Sequence, residues 1–246
     1  MMNRRRALSA ALGLFSLSSL SLAQQPAVTC TQGVGMLSQR MGKAWLCLGD
    51  NALAGRAEAV LRASENGFEQ QLLQQLQRAA TPEQAGSLRA LRRRYEDYKS
   101  LMASAPSPDT QRELLNTASE MLTLAQLGSA PRGTTPWQAH LAARQRMLSQ
   151  RVALLALAAP SGPGVDAVRR ERQAVMYEFE AGLQTLRRAP GGSDSLRDGL
   201  TRAEALWQPL RQAVMTGNQP QPVFVASEQL LLALDDIATS CQQLSA

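Results

Sequence analysis

Apolar residues recur at helical spacing along most of this chain, and strand-like alternation is scarce. Leu37, Met41, Ala44 and Leu48 fall on one stripe of a helix read at 100° per residue. Leu141, Leu148, Val152 and Leu155 form a matching stripe further on. Turn and capping residues divide the chain after the first thirty positions into eight helices. The first runs over about 31–48 and stops at Gly49-Asp50-Asn51; the second covers about 52–80. The third opens at Thr81-Pro82-Glu83-Gln84, with Thr as cap, Pro in the first turn and Gln closing a capping box, and ends before Pro106. Ser107-Pro108-Asp109 opens the fourth, which closes at Gly128. Thr135-Pro136-Trp137-Gln138 repeats the capping signature for a fifth helix ending at Pro160. The sixth and seventh lie near 164–189 and 193–216, with Pro209 expected to kink or split the latter, and the eighth follows Pro220 and Pro222.

The pattern is written twice. Met-Leu-Ser-Gln-Arg occurs in GMLSQRM (Gly35–Met41) and again in RMLSQRV (Arg146–Val152), 111 residues apart. At the same offset Phe68-Glu69 and Leu72 answer Phe179-Glu180 and Leu183, and Ala118-Ser119-Glu120 answers Ala226-Ser227-Glu228. A period this long is a small domain duplicated, not a solenoid repeat. The expected fold class is therefore all-α: two tandem antiparallel four-helix bundles, over 24–128 and 136–246, joined by a linker at 129–135.

The two motif helices carry unusual reverse faces. In the second copy this face holds Ala139, Ala143, Arg146, Gln150, Ala153 and Leu157, with Arg144 and Arg151 bordering the core stripe. In the first copy it holds Gly35, Gln39, Gly42, Leu46 and Gly49. Glycine inside a helix costs up to about 1 kcal/mol relative to alanine, and a close helix–helix approach offsets that cost. The first helices of the two copies are thus expected to pack back to back, with Arg146 and Gln150 in or beside the seam. A guanidinium there needs an anion, a carboxylate or water, and its planar fork suits a small planar oxyanion. The plainer alternative is that Arg146 reaches solvent and the motif only glues helices.

Composition adds a compartment. Arg4-Arg5-Arg6 precede an apolar, serine-rich stretch from Ala7 to Leu22, and Ser21-Leu22-Ala23 offers a cleavage site, so 1–23 reads as a signal peptide of Sec or twin-arginine type. That places the mature chain in the periplasm or outside the cell. The leader holds three arginines and no acid, so cleavage takes the net charge from +6 to +3. Basic residues are interleaved with acids, which argues against nucleic acid as a partner. Three cysteines remain, Cys30, Cys47 and Cys241. Cys30 and Cys47 would lie about 25 Å apart on one helix, too far to bond. A bridge from Cys30 to Cys241 would tie the chain ends, and Cys47 reads as a buried small hydrophobe. One histidine, His140, and no Cys/His/carboxylate cluster leave no expected metal or cofactor. No Ser/His/Asp or Cys/His arrangement points to an enzyme; Ser38 and Ser149 read as polar helix residues, Glu69 and Glu180 as solvated or salt-bridged ones.

The string from Arg144 to Arg151, RQRMLSQR, resembles the signature of the type IV pilus chemotaxis-transducer N-terminal domain, the PilJ-type family, which is related to the periplasmic domain of the NarX/NarQ nitrate sensors. The resemblance covers both halves, strongly at the motif helices and thinly elsewhere. It implies an extracytoplasmic four-helix bundle that senses a small molecule held by motif arginines. Those would be Arg146, and Arg151 with its counterpart Arg40, with Arg144, Gln150 and Gln39 beside them. The sequence departs from that pattern at Gly35, which stands where the second copy has Arg146, and at Gly33, which stands for Arg144. A symmetric two-arginine clamp within one chain is therefore unavailable. One arginine suffices, two chains pair through their second copies as a homodimer, or binding has been lost. The family's transmembrane helix and cytoplasmic signalling module are not seen either, so a membrane sensor or chemotaxis receptor is the expected partner, and nitrate or nitrite the candidate ligand. The competing expectation is a structural or adaptor protein of the cell envelope.

Overall fold

The computed structural model describes residues 33–129, 137–158, 164–190, 193–217 and 219–243. The expected leader, Cys30, nearly all of the expected linker and the Thr135 cap lie outside them. The described residues form eight α-helices and no strand: α1 (Gly33–Leu46), α2 (Ala54–Arg78), α3 (Pro82–Met102), α4 (Pro108–Gly128), α5 (Trp137–Leu157), α6 (Val165–Arg187), α7 (Asp194–Thr216) and α8 (Pro220–Gln243). The chain is all-α, as its pattern predicts. No helix among the described residues is long and apolar enough to cross a membrane.

Local chemistry sets the boundaries. Thr81 caps α3 by accepting from the Gln84 amide, with Pro82 in the first turn. The Gln84 side chain accepts from the Ala80 amide, one residue earlier than the box expected at Thr81. Ser107 and Thr110 form a full reciprocal box at α4. Gly217 closes α7 at φ +70°, a left-handed conformation that costs glycine little. Pro209 sits inside an uninterrupted α7, so it does not split that helix, and Pro220 and Pro222 lie within α8 rather than before it, a correction to the expected start. Proline at the start of a helix is tolerated because the first amides have no intrahelical acceptor.

Packing follows the duplication. Side chains of α1–α4, among them Met41, Trp45, Phe68, Tyr95 and Met121, share one core, and Leu154, Leu155, Ala158 and Leu231 reach into it from α5, the residue after it and α8. Side chains of α5–α8, among them Leu148, Val152, Phe179, Trp207 and Leu234, share a second. A small third cluster joins Ala44, Cys47, Leu53 and Ala57 to Phe224. Each copy pairs two aromatic rings, Phe68 stacked on Tyr95 at 4.3 Å and Phe179 tilted against Trp207 at 4.5 Å. The acid beside each phenylalanine accepts from the partner ring: Tyr95 Oη donates to Glu69 at 3.1 Å, and Trp207 Nε1 to Glu180 at 2.9 Å. This explains the Phe-Glu echo. Glu69 also pairs with Lys99 and Glu180 with Arg211, the salt-bridged role expected of them.

The motif helices α1 and α5 pack directly on each other, while α1 also contacts α2 and α4, and α5 contacts α6 and α8. Both are buried on nearly every side; α5 is buried at every residue from Leu148 to Leu155. The expected reverse face therefore does not exist as one surface. A Cβ on Gly35 would meet Leu122 at 3.2 Å and Ala125 at 4.0 Å, so this glycine faces α4. Gly49 lies past the end of α1 with open space around it. Only Gly42 approaches α5, with Leu154 3.2 Å from a built Cβ. A helix enclosed on all sides divides its small residues among several neighbours, which a two-faced wheel cannot represent.

Candidate functional site

A polar layer crosses the middle of this apolar packing, and the two Met-Leu-Ser-Gln-Arg strings build it. In each string the serine turns back on its own helix: Ser38 Oγ donates to the Gly35 carbonyl and Ser149 Oγ to the Arg146 carbonyl, both at 2.8 Å. Each glutamine then donates through Nε2 to a backbone carbonyl of the last helix of its half. Gln39 reaches Ala118 at 3.2 Å, and Gln150 reaches Ser227 at 3.1 Å. Ser227, not Ala226, is thus the structural counterpart of Ala118, one residue beyond the match read from the sequence.

The glutamine carbonyls cross the α1–α5 seam. Arg151 Nη1 donates to Gln39 Oε1 at 2.9 Å, and Lys43 Nζ donates to Gln150 Oε1 at 2.7 Å. Each copy therefore supplies a buried amide that accepts from a cation of the other. Lys43 is fully buried and uses all three N–H groups: the other two go to Ser227 Oγ at 2.9 Å and Glu228 Oε1 at 2.6 Å. Its ammonium also lies 4.9 Å from the centre of the Phe224 ring. Burial pushes the Lys43 pKa down, opposed by the charge of Glu228. Arg40 grips the same carboxylate through both oxygens, Nε to Oε1 at 3.0 Å and Nη2 to Oε2 at 2.5 Å. Burial alone would raise the Glu228 carboxyl, but Lys43 and Arg40 hold it down at about 2.

The arginines share one habit. Each presents its Nε/Nη2 edge to a carboxylate. Arg40 meets both oxygens of Glu228. Arg151, 3% exposed at its side chain, meets Glu171 Oε1 at 3.0 Å from Nε and 2.5 Å from Nη2, and Nη2 also donates to Ser119. Arg146 differs. Its side chain is only 2% exposed and pairs by charge with Asp235 through Nε. Nε and Asp235 Oδ1 meet each other in poor hydrogen-bond alignment, and Nη2 is buried with no hydrogen-bond partner. Burial lifts the Asp235 carboxyl above its ordinary range although Arg146 opposes the shift, and Arg40 acts on the same carboxylate. Arg40, Lys43 and Arg146 thus meet Glu228 and Asp235 of α8, and Asp236 also acts on Asp235.

The sequence-predicted site residues are thus divided. Gln39, Gln150 and Arg151 lie in the seam; Arg40 sits beside it on Glu228. Arg146 turns away from the seam to Asp235 on α8, because α5 is buried there by α8 as well as α1. Arg144 is 43% exposed at its side chain and pairs with Glu178 on α6. Cys241 and Cys47 are buried and not bonded to each other, with burial pushing their thiols up to about 11 and about 12. Sequence reasoning missed Lys43, Ser227, Glu228, Asp235 and Glu171. Comparisons with family models, with curated proteins and with solved structures found no match.

The Glu228 carboxyl gives the layer a pH signature. Its folded pKa, about 2, lies below the usual 4.5, so its contribution is present in full above the unfolded value and is lost as pH falls through the folded one. Stability should fall by an amount on the order of 3 kcal/mol between about pH 5 and pH 2. Urea melts across that range should show the loss, and Glu228→Gln should flatten it.

Proposed function

We propose that this chain is an exported, non-enzymatic sensory protein that binds a small monovalent oxyanion of nitrate or nitrite type. The reading combines the resemblance of RQRMLSQR to PilJ-type domains with the state of Arg146. The single observation that carries it is that guanidinium edge: 2% exposed, its Nε against Asp235 and its Nη2 without a hydrogen-bond partner. Leaving such donors unmet in a low-dielectric setting costs about 1–3 kcal/mol, more for a charged group. A planar oxyanion accepts from both nitrogens at once. In this reading the two cores belong to tandem four-helix bundles, the chain is delivered by its signal peptide, and occupancy is presented to a membrane receptor. One chain supplies the site without a symmetric clamp, since Gly35 packs on α4.

Titration calorimetry tests this. Nitrate or nitrite should give saturable heat with the wild type, and Arg146→Ala should weaken it by tenfold or more while leaving the far-ultraviolet dichroism unchanged. Absence of heat with nitrate, nitrite and formate would remove the reading.

One set of observations favours the alternative, an envelope adaptor. Arg40, Lys43 and Arg151 are all consumed by internal partners, so most of the motif serves to join the halves. On that reading Arg146→Ala is silent toward anions, and affinity capture from membranes retains its partner.

A further inference from the structure

The Arg146 edge is not open to solvent; a carboxylate of the protein already stands against it. That carboxylate is badly suited to the position. Arg40 and Arg151 show what a fitted acid does here: Glu228 and Glu171 each take hydrogen bonds from both Nε and Nη2. Asp235 is one methylene shorter than either; its Oδ1 stands hard against Nε in poor hydrogen-bond alignment, and it leaves the buried Nη2 with no partner at all. Its side chain is also 33% exposed, so a turn about χ1 can carry the carboxylate toward water. Arg146 has no such freedom at 2% exposure.

Building on the oxyanion reading above, we propose that Asp235 is an internal placeholder for the ligand, displaced when a planar monoanion takes the Nε/Nη2 edge of Arg146. The exchange is like for like. One planar, singly charged oxyanion leaves the buried layer and another enters, so the charge facing Arg40, Lys43 and Glu228 is unchanged. The incoming ion gains a hydrogen bond from Nη2 that Asp235 does not make, and a better-aligned one from Nε. This assigns the ligand class: small, planar and monovalent, with two oxygens spaced to meet the guanidinium edge. It also assigns specificity to a residue on α8, outside the motif helix. A bulky anion would have to open the α5–α8 contact.

Two substitutions at one position should move affinity in opposite directions. Asp235→Asn removes the competing charge at nearly constant shape and should tighten nitrate, nitrite or formate about tenfold or more. Asp235→Glu supplies the missing methylene, lets the side chain satisfy both nitrogens, and should weaken the same anions about tenfold or more. Asp236→Asn is the control for general electrostatics: it removes the same formal charge one residue away, from a carboxylate that is 62% exposed and paired with Arg202. Its affinity should stay near that of the wild type. Sodium nitrate, nitrite and formate would be titrated by calorimetry against sodium chloride of equal ionic strength, with melting temperatures recorded for each variant. If the wild type binds but Asp235→Asn matches Asp236→Asn, or Asp235→Glu binds as well as wild type, the placeholder is overturned and the oxyanion reading stands. If the wild type is silent while Asp235→Asn binds, the placeholder stands and the wild-type ligand reading falls. Silence from both overturns both.

Discussion

Glu228→Ala is expected to cost about 3–5 kcal/mol of stability, the range for removing one partner of a buried ion pair. The cost arises from what is left behind. Lys43 is fully buried, and Glu228, 2.6 Å away, opposes the burial that disfavours its charge. Gln150 and Ser227 would still accept from the ammonium, but neither carries a charge. Arg40 also loses both its acceptors, though its 13% side-chain exposure lets it turn toward water. The test lies in the double variant. Lys43→Met in the Glu228→Ala background removes the stranded charge, and Met fills the volume with a flexible apolar chain. It should recover at least half of the loss in chemical denaturation. If Lys43→Met in that background worsens stability further, the ion pair is not what makes Glu228 important.

Gly42→Leu is the second large effect, with an expected loss of at least 3 kcal/mol and a change in the relation of the two halves. A Cβ alone on Gly42 would overlap the Tyr98 hydroxyl and stand 3.0 Å from Leu114 and 3.2 Å from Leu154. Three helices besides α1 therefore converge on this glycine. Tyr98 cannot yield easily: it is fully buried and donates through Oη to the Ser38 carbonyl at 3.0 Å. Filling a packed core in this way costs about 1–3 kcal/mol for a small excess, and a whole isobutyl group exceeds that. Any shift of α1 that makes room against Tyr98, Leu114 and Leu154 would strain the bonds of Lys43 to Gln150 and of Arg151 to Gln39. Gly42→Ala should cost less, and more of its loss should be recovered in a Tyr98→Phe background, where the hydroxyl is gone.

The helices and the caps at Thr81 and Ser107 were legible in the sequence because each rests on local rules: apolar spacing and Thr-Pro and Ser-Pro starts. The direction of Arg146 was not. A wheel assigns a residue to a face only when a helix has a wet side and a dry side, and α5 has almost no wet side. With burial on all sides, the choice between α1 and α8 depends on where acids lie on another helix far along the chain. Part of that was available. Lys43 stands between Met41-Gly42 and Ala44-Trp45, a lone charge in an apolar run, which calls for a buried counter-ion. Glu228 recurs in the Ala-Ser-Glu echo, and Asp235 follows it by two helical turns on the same face, as Asp235-Asp236 interrupt Leu234 and Ile237. What the echo hid is a one-residue shift, by which Ser119 takes from Arg151 what Glu228 takes from Arg40.

The two copies also differ where a glycine sits under a glutamine. In the first, Gly33 of α1 lies beneath Gln71 of α2; in the second, the roles invert, with Gln145 on α5 and Gly182 on α6. Repeated chains risk folding with their halves crossed, and here the crossed pairings are penalised by shape. At the repeat's own register, joining α5 to α2 would set Arg144, which stands for Gly33, against Gln71, while joining α1 to α6 would set the shorter Val34, which stands for Gln145, over Gly182 and leave a gap. A chimera that exchanges α1 for α5 should consequently misassemble despite the shared Met-Leu-Ser-Gln-Arg, because the duplicated units have become mutually exclusive lock and key.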